Sequence, residues 1–279
     1  MKVLVTGARG QLGTDVCARL EACGIEAIPA DKEDFDITDR EQVNAFFEKK
    51  KPDAVIHCAA YTAVDRAEEE AEICRRVNVE GSANVAAAAQ SVKAKMLYVS
   101  TDYVFGDNGN EPIETDGEKK PLNVYGRTKL DGENAVLAAC DKAFIVRVSW
   151  VFGRNGANFV KSMIRLGEAN SELKVVCDQV GSPTFTEDLA ALLCDMIRTE
   201  KYGVYHATNE DYCSWADFAT EIMKLSGAQC RVIPIPSSEY RTAAVRQLNS
   251  RLSKASLDEN GFDRLPPWRD ALARYFAQE

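Results

Sequence analysis

The stretch TGARGQLG, residues 6–13, limits what this chain can fold into more than any other. It sets Gly7, Gly10 and Gly13 at even spacing between a short apolar run, MKVLVTG, and an amphipathic run, QLGTDVCARLEACG. In the second run Leu12, Val16 and Leu20 recur every four residues, as on one face of a helix, and Gly24 follows as its stop. Glycine permits the tight turn and lets backbone approach a bound pyrophosphate. The helix start adds unpaired N–H groups and the positive end of its dipole. The loop therefore predicts strand, turn and helix around a dinucleotide, with Gly7, Gly10 and Gly13 against it.

A dinucleotide site of this kind needs an acid about twenty residues further on, at the end of the second strand, to hold a ribose 2′-hydroxyl. Asp31 stands there and favours NADH. Arg9, inside the loop, suits the 2′-phosphate of NADPH, so both cofactors stay open. Asp36 and Ile37, in DFDIT, form an acid–aliphatic pair suited to the adenine. Ala59 and Ala60, after the third apolar run, are small enough to let a cofactor lie flat over the strand ends.

Apolar runs alternate with amphipathic ones over the first 150 residues. Strands are expected at 1–7, 24–31, 53–60, 95–101 and 142–153. Helices are expected over 11–24, over REQVNAFFEKKK with Thr38 or Asp39 as cap, within 64–92, and over 121–140. The runs are apolar throughout, which predicts a parallel sheet covered on both faces. The fold class expected is α/β: a Rossmann-like, doubly wound parallel sheet with a smaller mixed C-terminal substrate-binding region. Residues 1–152 are expected to form the dinucleotide-binding part and 153–279 mainly the substrate-binding region, with parts of it, about 172–207, returning to the sheet. Thr186 is a candidate cap for the helix TEDLAALLCDMIRTE.

Composition argues against several functions. The net charge of −9 leaves no basic field to gather nucleic acid. No run is apolar for long enough to span a membrane, and the N-terminus lacks a leader-like apolar core, so a cytoplasmic protein is expected. The nine cysteines are scattered without a CxxC pair, which predicts free, buried, reduced thiols. With two histidines, zinc and a Ser-His-Asp triad are poor fits, and His57 reads as structural.

The fourth strand ends in YVSTDYVFG, which puts Val99, Ser100, Thr101 and Asp102 where ligands of parallel sheets bind. The next helix opens with Tyr125 and Lys129, one turn apart on one face. Such a pair arises often by chance; its position beside the predicted dinucleotide gives it meaning. Hydride transfer to a ketone builds negative charge on oxygen. A phenol can protonate that oxygen and a hydroxyl can hydrogen-bond it. A free Tyr has a pKa of about 10, which a nearby ammonium lowers.

GxxGxxG, Ala-Ala, Ser-Thr-Asp and YxxxK together resemble the extended short-chain dehydrogenase/reductase superfamily. GARGQLG, AAYTAVDRAE, STDYVFGD, PLNVYGRTK, VRVSWVFG, DQVGSPTFTEDLA and NSRL, spread from residue 1 to about 252, are similar to its dTDP-4-dehydrorhamnose reductase family. That resemblance implies an NAD(P)H-dependent reductase of a keto-sugar nucleotide. It implies Tyr125 as proton donor, Lys129 as its partner and cofactor holder, and Thr101 as the carbonyl-polarising hydroxyl. Gly10, Gln11 and Leu12 would meet the pyrophosphate, Asp31, Asp36 and Ile37 the adenosine end, and Ala59, Ala60, Tyr61 and Val99 the middle of the cofactor. Thr101, Asp102 and Trp150 would touch the sugar nucleotide and Arg246 its diphosphate; members usually carry Pro where Gln247 stands. Some members hold Mg2+ at a dimer contact; Asp15 and Glu187 match two of those positions, the first usually Glu. Monomer and homodimer are both compatible. Two other functions share the scaffold: a non-catalytic regulatory subunit like that of methionine adenosyltransferase, and another sugar-nucleotide reductase or epimerase. The intact Thr101, Tyr125 and Lys129 favour the reductase over the first.

Overall fold

The computed structural model describes residues 1–107 and 109–277, so the last two residues of the expected C-terminal region lie outside the described residues. The chain begins with β1 (Lys2–Thr6), α1 (Gln11–Ala22), β2 (Glu26–Ala30), α2 (Arg40–Lys50) and β3 (Ala54–His57). It continues with α3 (Ala71–Arg75), α4 (Ser82–Ser91), β4 (Lys95–Thr101), α5 (Val124–Ala139) and β5 (Ala143–Val148). Then come β6 (Val151–Phe152), α6 (Phe159–Ala169), β7 (Glu172–Val176), β8 (Val180–Gly181), β9 (Thr184–Phe185), α7 (Thr186–Ile197), β10 (Gly203–His206) and α8 (Trp215–Ser226). The principal sheet has the order β2-β1-β3-β4-β5-β10 and every pairing in it is parallel.

Alternation along β1 explains the two covered faces. Val3 and Val5 point to one side, where they pack with Leu12, Val16 and Leu20 of α1 and Leu189 and Leu193 of α7. Leu4 points to the other, against Val43 and Phe47 of α2, Val85 and Ala89 of α4 and Val136 of α5. A third cluster, with Phe152, Val160, Phe185, Phe218, Ile222, Trp268 and Leu272, forms the interior of the C-terminal part.

The strand order reverses at β1, which has β2 on one side and β3 on the other. A crevice therefore opens beyond the carboxyl ends of these strands. Asp39, one of the two expected caps, accepts from the backbone N–H of Glu41 and Gln42. Asn123 caps α5 by accepting from Gly126 N at 2.8 Å, which starts the helix one residue before Tyr125.

Two expectations need correction, and a third holds for part of its span. The fifth strand stops at Val148, not near 153, because Trp150 takes a left-handed φ of 48° and sends β6 to pair with β9 instead. Thr184 holds the bend: its N–H donates to Trp150 O, and its hydroxyl to Ser149 O at 2.6 Å. Thr186 is not a cap; it is the first residue of α7, and Phe185 occupies the cap position with no side-chain bond. Within 172–207, β7 pairs with Arg231–Ile235 away from the principal sheet, whereas α7 lies on α1 and β10 adds to β5. Among the described residues, no helix is long and apolar enough to cross a membrane.

Candidate active site

A cavity of about 1040 Å³ fills the crevice. Its floor is the glycine loop. Gly7 has φ +64°, and a Cβ there would stand 2.9 Å from Ala59 N. A Cβ on Gly13 would stand 2.1 Å from Gly7 O. Only bare backbone lets β1, α1 and the end of β3 come this close. Gly10 precedes α1 with no side-chain cap bond, so the first amides of the helix keep no side-chain partner. This is the cradle a pyrophosphate requires.

Gly10, Gln11, Leu12, Asp31, Asp36, Ile37, Ala59, Ala60 and Val99 all line the cavity. Asp31 accepts from Arg9 N at 2.9 Å, while the Arg9 side chain reaches Glu33 at 3.2 Å. The acid and the cation that suit the two cofactors thus share one rim. Gln11 also ties the crevice to the C-terminal part, donating to Val151 O and accepting from Asn158 Nδ2. Tyr61 is not on the cavity wall; its hydroxyl donates to Glu70 at 2.7 Å. Further along the same loop, Thr62 and Val64 do line it.

Thr101, Asp102, Tyr125, Lys129 and Trp150 line the same cavity. Tyr125 is seated by an edge-on contact with Tyr103, ring centroids 5.5 Å apart. Burial pushes its phenol well above the usual tyrosine value, with the Thr101 side chain acting in the lowering direction and the Asp102 charge raising it. Lys129 lies 2 % exposed, donates to Val99 O at 2.8 Å and stands 3.9 Å over the Tyr98 ring. Burial brings its ammonium down to about 7, partly countered by Glu133. The expected lowering of the Tyr125 phenol by Lys129 is therefore not what the site displays. Desolvation dominates both groups and holds both toward their neutral forms.

Ser100, next to Thr101, serves the framework: it donates to Glu133 Oε1 at 2.5 Å. Glu133 also accepts from Arg147 at 2.8 and 2.7 Å, a fully buried pair linking α5 to β5. His57 is structural as expected, bonded to Thr6 and Ser82 in the core. All nine cysteines are free, although Cys23 and Cys177 are exposed rather than buried.

A small second cavity adjoins the first; Tyr103 and Trp150 wall both, and Gln179, Trp215, Arg246, Gln247 and Ser250 complete it. Trp150 stacks on Trp215 at 3.7 Å. Arg246 forks onto Asp65 at 3.1 and 2.6 Å, so its guanidinium already has an acidic partner. Gln179 lies in DQVGSPTFTEDLA and Ser250 in NSRL, while Trp215 belongs to none of those strings; only folding brings them together here. The Mg2+ candidates do not form a metal site within the chain. Asp15 accepts from Asn155, Glu187 is paired with Arg154, and no group of three or more His, Cys, Asp or Glu among the described residues could hold an ion.

The model of the RmlD substrate binding domain family matches residues 1–279. The chain belongs to this family. It is 40 % identical to a dTDP-4-dehydrorhamnose reductase of Mycolicibacterium smegmatis, over 97 % of this chain and 84 % of that protein. A crystal structure of a dTDP-4-dehydrorhamnose reductase from Clostridium acetobutylicum superimposes with a TM-score of 0.97 at 45 % identity, covering 100 % of this chain and 99 % of the other. The enzyme of that name from Bacillus anthracis, solved in complex with NADP, gives 0.97 at 41 % identity over the same shares.

Proposed function

We propose that the protein reduces dTDP-4-dehydro-6-deoxy-L-mannose to dTDP-L-rhamnose at the expense of NAD(P)H. The observation that carries this reading is one cavity holding both the glycine cradle and the Thr101–Tyr125–Lys129 set. The reduced nicotinamide supplies hydride to the sugar carbonyl carbon. Gly7, Gly10, Gln11, Leu12 and Gly13 hold the pyrophosphate end, Asp31, Asp36 and Ile37 the adenosine, and Ala59, Ala60 and Val99 the middle. The buried phenol of Tyr125 stays protonated, which suits a donor to the carbonyl oxygen. Thr101 steadies the same oxygen by hydrogen bonding. Lys129, held between Val99 O and the Tyr98 ring, supplies positive charge once anions enter the crevice.

Trp150 and Asp102 face the sugar, and Arg246 meets the diphosphate if it exchanges Asp65 for it. Residues 1–152 serve the cofactor, with α7 and β10 completing that layer, and most of 153–279 serves the sugar nucleotide. We also infer a reducing, cytoplasmic setting from nine unpaired cysteines, one to two copies per working molecule, and no nucleic-acid partner.

The test is an assay with the keto-sugar nucleotide generated in place, following loss of NADPH and of NADH by absorbance. Oxidation dependent on the sugar nucleotide is expected. Tight dinucleotide binding without oxidation of either cofactor would reject the reaction and favour a binding protein.

A further inference from the structure

Arg9, Asp31, Lys32 and Glu33 all line the large cavity, at the end of β2 where a dinucleotide places its adenosine ribose. What holds each of them separates their roles. Asp31 Oδ2 accepts from Arg9 N at 2.9 Å and Oδ1 from Lys32 N at 3.1 Å, while Ala8 N donates to Ala30 O at 3.2 Å. These bonds tie the glycine loop to β2 and fix the Asp31 carboxylate, each oxygen of which keeps a lone pair for a ribose hydroxyl. Asp34 is taken up by the turn itself, accepting from Asp31 N at 2.9 Å. The Arg9 guanidinium is held differently. The backbone fixes where its side chain starts, but that side chain is 70 % exposed and reaches Glu33, 52 % exposed, at 3.2 Å.

NADH and NADPH differ at this point by one group. NADH presents a neutral 2′-hydroxyl, which can donate to Asp31 while the Arg9–Glu33 pair stays as it stands. NADPH presents a phosphate monoester, with a charge of about −1.5 to −2 and three strong acceptor oxygens, close to the Asp31 carboxylate. Two cations on the same wall, Arg9 and Lys32, offset that charge. Glu33 works against the phosphate, because it holds one of those cations and adds a negative charge to the rim. An exposed ion pair is weak enough to be exchanged. NADPH is therefore admitted, at a cost that NADH does not meet.

We propose that Glu33 is a positioning residue that sets the balance between the two reduced cofactors: by holding Arg9 it lowers the affinity for NADPH and leaves that for NADH alone. This rests on the NAD(P)H reading of the crevice and not on the sugar chemistry, so binding tests it without turnover.

The experiment titrates NADPH and NADH into wild type, Glu33→Gln, Arg9→Gln and the double variant, following the fluorescence of the reduced nicotinamide. Glu33→Gln should tighten NADPH about fivefold and keep NADH within about twofold of wild type. Arg9→Gln should weaken NADPH about tenfold, with NADH again kept. Adding Glu33→Gln to Arg9→Gln should then gain less than about twofold, because the guanidinium that Glu33 holds is gone. Raising salt from about 0.01 M to about 1 M, which shortens the screening length from about 30 Å to about 3 Å, should erase most of the Glu33→Gln gain. A gain that came from a rearranged loop would survive the salt and overturn the inference. An equal change for both cofactors, no change for either, or an undiminished gain in the Arg9→Gln background overturns it too. If wild type binds neither dinucleotide, the reading of the crevice fails and this inference falls with it.

Discussion

Tyr125, the proposed proton donor, stands in a position that makes it a weak acid. Buried against Tyr103 and near the charge of Asp102, it keeps its proton in the free protein. In the proposed reaction, proton transfer would wait for a developing oxyanion, which is the better acceptor. Tyr125→Phe should lower turnover by about 10² or more while NADPH still binds; turnover equal to wild type would remove Tyr125 from the reaction. Asp102, which burial lifts to about 6 against the pull of Ser250, Thr101 and Gln247, is the other residue whose chemistry is set by its surroundings. Neither property can be guessed from residue type. Tyr125 and Lys129 were legible as a pair from spacing and placement. Their protonation was not, because desolvation depends on what covers them.

Among the elements, the turn from β1 into α1 is the most tightly specified. Gly13 is the position where even one methyl group has no room, since it would meet the carbonyl of Gly7 at 2.1 Å. Gly13→Ala should push α1 from β1, weaken NADPH binding by at least about tenfold and lower the unfolding midpoint. Calorimetric titration and urea unfolding check both effects, and unchanged cofactor affinity would contradict the cradle. α5 shows a second kind of control. Its start is set locally by the Asn123 cap, but its seat on the sheet depends on the Glu133–Arg147 pair and on Ser100. Removing one partner of such a buried pair leaves an uncompensated charge. The element was visible in the sequence as a helix; its anchoring was not.

For the whole molecule, stability and site are linked through Lys129. Its folded value of about 7 lies below the ordinary lysine value of about 10.4. Between those limits the unfolded chain binds more protons than the folded one, so this residue's contribution to stability rises with pH. It is fully present above about pH 10.4 and lost as pH falls through about 7. Lys129→Met should therefore gain stability relative to wild type as pH is lowered from about 10 to about 6. Urea midpoints of both proteins at each pH measure this, and a pH-independent difference would refute it. The local alternation of apolar and amphipathic runs, the glycine spacing and the turn residues by themselves determined the parallel sheet, the cofactor crevice and the Tyr–Lys helix. Each depends on interactions within one turn or one β–α step. The tertiary structure alone decided that Asp102 is held by residues 145 and 148 positions away, that Arg246 is paired with Asp65 across 181, and that Trp150 bends out of β5 to stack on Trp215. The physical reason is that a buried polar or aromatic group takes its partner from whatever the packed chain brings beside it, and sequence spacing carries no record of that.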